Sequence, residues 1–319
     1  MGNGGRPGPG GIGVLDVGSN TVLLLVLGAD GAIRCDEARI TRLGQGVFAS
    51  GELAAEAVAR TRAAIADFAR IARAESVGRL VAVGTEALRR ASGGAEFLAA
   101  LVRDGLVDGA RLLSGEEEAE LTLEATRRQL GAGRAALAVI DVGGGSTEVA
   151  WRESVAAPVR GVSLPLGSVR LTEAQLPRHP IPAADLAALR RAVRAATAPL
   201  REALPAGLPA DAAVVAVAGT ATTLAALELE LAVYRPERVE GLELSRAVLS
   251  RWIERLAQLG VAQRKRLPGL EPGRADVIVA GLVCLELALD VLGARHFAVS
   301  ERGVRHGVAL RMLAGEPLI

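Results

Sequence analysis

Two stretches of the chain, Val14 to Val26 and Val139 to Ala150, share one pattern: an apolar strand ending in Asp, a turn of small polar residues, then a second strand. Their aspartates, Asp16 and Asp141, stand 125 residues apart (141 − 16), about the length of one domain. The second turn, Asp141-Val-Gly-Gly-Gly-Ser-Thr-Glu148, carries the stronger signal. Gly143, Gly144 and Gly145 cost backbone entropy on folding, and close approach of a polyanion to their amides is a use that offsets it. Ser146 and Thr147 add hydroxyls, and Asp141 and Glu148 are hard oxygen ligands suited to Mg²⁺ bridging to phosphate. In the first turn Gly18 permits the bend, while Ser19, Asn20 and Thr21 offer amides and side chains to phosphate oxygens. By itself that stretch reads equally well as an ordinary hairpin.

A third element, Ala218-Gly-Thr-Ala-Thr-Thr223, follows a buried strand and passes through Gly219 and Thr220 into a helix N-terminus, whose amides favour anions. A plain Thr-capped turn explains it as well. Ser114-Gly-Glu-Glu-Glu-Ala119 opens another helix. Ser114 and Glu117 make a capping box, which leaves Glu118 able to face a ligand and orient water. Arg89 follows a strand end and can clamp phosphate with its planar fork, although a solvated arginine accounts for it too. His179, His296 and His306 show no metal-ligand spacing.

Composition sets the outer bounds. At 319 residues the chain exceeds the size at which single cores split, so two domains are expected. A net charge of +1 excludes the broad basic field of a nucleic-acid or membrane-surface binder. Lys265 is the sole lysine, so no Walker-type loop is present, and 2% aromatics argue against a base-stacking platform. Cys35 and Cys284 are too few for a disulfide framework, and with no visible signal peptide a cytoplasmic location is expected. The apolar stretch Val277 to Gly293 is interrupted by Glu286 and Asp290 and reads as a buried helix rather than a membrane span.

The elements alternate in α/β order. A Gly/Pro tail over residues 1–11 is expected to be disordered. Strands are expected near 12–17 and 22–28, a helix over 52–75, a strand at 79–83, helices at 85–91 and 95–104, a strand near 110–113 and a helix over 115–130. After a linker at Gly131 to Gly133 come a hairpin over 136–150, a helix over 183–204 and a strand at 213–217. Helices follow at 221–231, 245–259 and 274–292, then a strand near 296–300 and a helix at about 302–314.

In this order the segments resemble the exopolyphosphatase and guanosine pentaphosphate phosphohydrolase (Ppx/GppA) family, a branch of the acetate kinase, sugar kinase, Hsp70 and actin superfamily. The resemblance runs from Ile12 to about Leu313. Besides the turns above it includes Gly84-Thr-Glu-Ala-Leu-Arg89, Gly167-Ser-Val-Arg-Leu-Thr172, Leu267-Pro-Gly-Leu-Glu-Pro-Gly-Arg-Ala-Asp276 and Ser300-Glu-Arg-Gly-Val-Arg-His-Gly307. Gly84 stands where many relatives carry Ala, and Thr21 where many carry Ser.

The resemblance implies an α/β fold of two ribonuclease-H-like domains with an interdomain cleft. The N-terminal one would span 12–131, with the last helix returning to it, and the C-terminal one 132–301. It also implies Mg²⁺-dependent removal of terminal phosphate from inorganic polyphosphate or guanosine pentaphosphate. Glu118 would position and deprotonate water, and Arg89 would grip the substrate. Residues 18–21 and 143–147 would hold phosphoryl oxygens, Asp141 and Glu148 would bind the metal, and Asp16 would be a further metal or water ligand. A helix N-terminus favours the ionised carboxylate, which makes orienting water the larger role for Glu118.

Longer members carry a further C-terminal helical domain, so a preference for short polyphosphates is expected here. Competing readings are guanosine pentaphosphate hydrolysis at the same site and a non-catalytic sensor of an alarmone or polyphosphate. Retention of Glu118, Asp141 and Glu148 together speaks against the sensor. A superfamily kinase would need an acceptor pocket with its own base, which the sequence does not reveal. The expected partners are the phosphorylated substrate and, compatibly, a second copy of the chain as a homodimer, with no nucleic acid and no membrane.

Overall fold

The structure, a computed structural model, describes residues 10–129 and 136–316. Most of the expected tail and all of the expected linker Gly131 to Gly133 lie outside the described residues. The chain divides into two compact units, Met1–Leu121 with Val304–Ile319, and Thr122–Gly303.

The first unit is built on five strands: β1 Gly11–Val17, β2 Thr21–Leu27, β3 Ile33–Ile40, β4 Val77–Gly84 and β5 Gly109–Leu112. Their order is β3-β2-β1-β4-β5. The first three form an antiparallel meander, and β4 and β5 add in parallel. Because the central strands are covered on both faces, alternate residues enter different cores. Leu15, Val17 and Leu24 pack with Ile65, Phe68 and Ala72 of the helix Ala55–Ala74. Ile12, Val14 and Leu25 pack instead with Val304, Val308 and Met312 of the helix Val304–Leu313. Asp16 continues the alternation of Ile12 and Val14, so it looks toward that last helix.

The second unit repeats the plan with β6 Leu137–Val142, β7 Thr147–Arg152, β8 Arg160–Leu164, β9 Ala213–Val217, β10 Glu243–Ser245 and β11 His296–Val299. Its order is β10-β11-β9-β6-β7-β8. Strand for strand, β8-β7-β6-β9-β11 corresponds to β3-β2-β1-β4-β5, so the ribonuclease-H-like arrangement occurs twice, with β10 added at one edge. The helix Ile278–Leu292 is buried around nearly its whole circumference, which is why its sequence shows no polar face.

Several elements differ from expectation. The helix expected over 183–204 is two helices, Ala183–Ala196 and Ala198–Ala203, because Pro199 in the first turn of the second has no N–H to continue the ladder. Strands β3, β8 and β10 and the helix Ser168–Gln175 are additional. The β3 sequence Ile-Arg-Cys-Asp-Glu-Ala-Arg-Ile is a largely exposed edge strand without apolar alternation, and only its pairing with β2 makes it a strand. Among the described residues no helix is long and apolar enough to cross a membrane.

Candidate active site

In the first unit the register aligns Val17 with Gly84 and Gly84 with Leu112. The turn after Asp16, the Gly84–Arg89 segment and the Ser114–Glu118 segment therefore leave the same sheet edge, at the carboxyl ends of parallel strands where α/β folds place ligands. Leu113 N donates to the Gly84 carbonyl at 2.9 Å. A Cβ at Gly84 would stand 2.8 Å from Leu88 Cδ1 and 2.9 Å from Leu98 Cδ1, so this packing suits Gly better than Ala.

The two glycine turns close in the same way. Gly18 N donates to the Thr21 carbonyl at 3.1 Å, and Gly143 N to the Ser146 carbonyl at 3.0 Å. In the second turn the Gly143 carbonyl accepts from Ser168 N at 3.0 Å, and the Gly144 carbonyl accepts from Val169 N at 2.9 Å and Arg170 N at 3.1 Å. Those donors are the first amides of the helix Ser168–Gln175, groups that have no partner inside their own helix. A trans peptide is planar, with N–H opposite C=O, so the Gly144 and Gly145 N–H groups point away from this helix.

In the first turn the Ser19 carbonyl takes Gly44 N at 2.7 Å, and the Asn20 carbonyl takes Thr41 N and Arg42 N at 3.0 Å each. By the same geometry the Asn20 and Thr21 N–H groups point away from the 41–44 loop. Asp16 Oδ1 and Asn20 Nδ2 are buried with no hydrogen-bond partner among the described residues. Burial lifts the Asp16 carboxyl to about 6, with Arg305 offsetting part of the rise. Arg305 forks onto Asp36 of β3 through Nε and Nη2, both at 3.0 Å.

Asp141 and Glu148 stand directly opposite in the β6–β7 register, so their side chains share one face of the sheet. Glu148 accepts from Ser163 Oγ at 2.7 Å. The equivalent partner of Asp16 is Leu23, so the carboxylate pair belongs to the second hairpin alone. The Thr147 hydroxyl donates to the Leu166 carbonyl at 2.5 Å and the Thr220 hydroxyl to the Val142 carbonyl at 3.1 Å. Both hydroxyls are therefore engaged with main-chain carbonyls. Ser146 is buried.

The third element begins the helix Ala218–Glu228, and Ala218 has φ 62, the left-handed region that side chains disfavour. A Cβ at Gly219 would fall 2.0 Å from Arg274 Nη1, so that guanidinium lies directly on the Gly219 backbone. Burial depresses the Arg274 guanidinium, with Glu271, Tyr234 and Glu301 offsetting part of the effect.

The capping box forms as expected: Glu117 N donates to Ser114 Oγ at 3.2 Å and Ser114 N to Glu117 Oε2 at 2.8 Å. Glu118, outside the box, is buried and ion-paired with Arg89. Burial alone would depress Arg89, but the Glu118 and Glu86 carboxylates outweigh it and raise the guanidinium. Arg89 and Glu118 thus come together, as do the members of each turn. The roles of Glu86, Gly167, Arg274 and Arg305 were not expected from the sequence, although all four lie inside the motifs quoted above.

The fold defines an α/β protein with a duplicated, actin-like architecture. The sequence profile of the Ppx/GppA phosphatase family matches residues 31–316, and the chain belongs to that family; it is a phosphoanhydride hydrolase. It is 35% identical over 317 residues to Exopolyphosphatase 2 of Mycobacterium tuberculosis, covering 94% of this chain and 98% of the relative. Exopolyphosphatase 1 of Mycobacterium bovis is 32% identical over 310 residues, covering 96% and 89%. The crystal structure of the Aquifex aeolicus member of the Ppx/GppA family is 29% identical with a TM-score of 0.77, covering 95% and 98%.

Proposed function

We propose that the chain is an exopolyphosphatase that removes terminal phosphate from inorganic polyphosphate by in-line attack of a water positioned by Glu118. The observation that carries this reading is the Gly143–Gly145 turn: the Ser168–Arg170 amides hold the Gly143 and Gly144 carbonyls, which aims the Gly144 and Gly145 N–H groups the other way, where an anion can take them. Each unit supplies one glycine turn closed in the same way, by Gly18 N on the Thr21 carbonyl and Gly143 N on the Ser146 carbonyl. Asn20 Nδ2, a buried donor lacking a protein acceptor among the described residues, fits a phosphoryl oxygen.

Among the described residues no three or more His, Cys, Asp or Glu side chains group as a metal cage. Mg²⁺ commonly binds through one or two carboxylates and takes its remaining ligands from phosphate and water. Asp141 and Glu148 are the proposed ligands; Asp16 Oδ1, buried without a hydrogen-bond partner among the described residues, is proposed separately as a ligand for metal or water. A cation bound there would neutralise charge on the phosphoryl oxygens. Arg89 grips the terminal phosphate, and Glu118 orients the water, a division that fits phosphoryl transfer because positioning and charge neutralisation carry most of it.

The test is phosphate release from polyphosphates of defined length and from guanosine pentaphosphate, with and without Mg²⁺, for the parent chain and Glu118→Ala. Metal-dependent release from polyphosphate, fastest per chain end on short polymers and lost in the variant, is expected. Faster release from guanosine pentaphosphate would rename the substrate. Tight binding without release would replace the hydrolase with a sensor.

A further inference from the structure

Arg89 is held by two carboxylates through different nitrogens. Its Nη1 meets Glu118 Oε1 and also donates to the Leu113 carbonyl at 2.6 Å, while Nη2 donates to Glu86 Oε2 at 2.9 Å. Glu86 accepts from Arg90 Nε at 3.0 Å through its other oxygen. The Arg89, Glu86 and Glu118 side chains are 20%, 11% and 6% exposed, so these pairs are shielded from water rather than screened on a surface.

A guanidinium flanked by two carboxylates presents little positive charge to an arriving phosphate. One carboxylate has to yield for Arg89 to grip substrate, and the two are not equivalent. Glu86 lies on the same short helix, Glu86–Arg90, at the i,i+3 and i,i+4 spacings that bring side chains together, and it holds Arg89 and Arg90 at once. Glu118 comes from a different element, the helix Gly115–Gln129, and is the carboxylate proposed to orient water.

We propose that Glu86 is a positioning residue: it keeps Arg89 aimed through Nη2 while the terminal phosphate of the substrate takes Nη1 from Glu118. Substrate arrival then releases Glu118 toward water, so the water-orienting carboxylate is withheld until a phosphate is present. Glu86 makes no contact with substrate in this scheme and acts through Arg89. The inference rests on the functional reading above.

The experiment compares steady-state phosphate release by the parent, Glu86→Ala, Glu86→Gln, Glu118→Gln and the Glu86→Ala/Glu118→Gln double variant, with melting temperature measured on each. Without Glu86, Glu118 is the one carboxylate left of the two that hold Arg89, and kcat of Glu86→Ala is expected to fall about 10- to 100-fold, more than KM rises. Glu86→Gln retains an acceptor for Nη2 and restores most of the loss. In the Glu118→Gln background the Glu86→Ala change adds little further, because both act on one step.

A parental kcat in Glu86→Ala overturns the proposal. So does the same fold loss in both backgrounds, or a loss accounted for by the unfolded fraction. If the parent releases no phosphate, or Glu118→Gln retains full activity, the functional reading itself fails and this inference with it.

Discussion

Gly167 lies against the Gly144 peptide with no room for a side chain: a Cβ at position 167 would stand 2.2 Å from the Gly144 carbonyl oxygen. This backbone contact seats the helix Ser168–Gln175 so that its first amides hold the carbonyls of the glycine turn.

Gly167→Ala therefore pushes the turn aside. We expect a cost of about 1–3 kcal/mol in urea unfolding, typical of overpacking, and phosphate release lower by on the order of 100-fold. Parental activity in a destabilised variant would show that the turn does not hold substrate.

Asp16 makes stability depend on pH. Its carboxyl is raised by burial from 3.8 to about 6, with Arg305 opposing, so the folded protein binds the proton more tightly than the unfolded chain. The resulting stability is fully present below about pH 4 and is lost as pH rises through 6, by roughly 3 kcal/mol. In EDTA, Asp16→Asn should match the parent near pH 4 and exceed it in stability at pH 7. Urea titrations from pH 4 to 8 measure this; parallel parent and variant profiles would contradict it.

Neighbouring glutamates on one helix turn should separate cleanly. Glu117 caps its helix and pairs with Arg111 at 2.8 Å, so Glu117→Gln should cost about 1 kcal/mol or less and leave kcat near the parent value. Glu118→Gln should abolish most turnover with a smaller change in melting temperature than in rate. Equal kinetic effects at the two positions would remove the special role of Glu118.

Gly307 seats the last helix. A Cβ there would lie 2.3 Å from the Leu121 carbonyl oxygen, so Gly307→Ala should lift the helix Val304–Leu313 from the face where Val308 and Met312 pack. The expected cost is about 1–3 kcal/mol, together with faster amide exchange across that helix. Unchanged protection would mean that the helix shifts without loss.

The glycine turns, the capping box and most helices were legible because their signals are local: glycines where the backbone bends, an Ser/Glu pair at capping spacing, apolar residues at helical period. β3 was not, since an exposed edge strand carries no apolar alternation and depends on β2 for its form. The helix Ser168–Gln175 is short, and it reads only as the support of a turn that lies earlier in the chain.

The sequence alone determined which residue types stand at each turn, the 125-residue repetition of Asp16 in Asp141, and through them the α/β class and the family. Tertiary structure decided where each polar group points. It engaged the Thr147 and Thr220 hydroxyls with main-chain carbonyls, laid Arg274 on Gly219, placed Glu86 and Glu118 on opposite nitrogens of Arg89, and joined Arg305 to Asp36 across 269 residues. The reason is physical: residue type sets what a side chain can donate or accept, whereas its partner is chosen by the packing of elements distant in sequence.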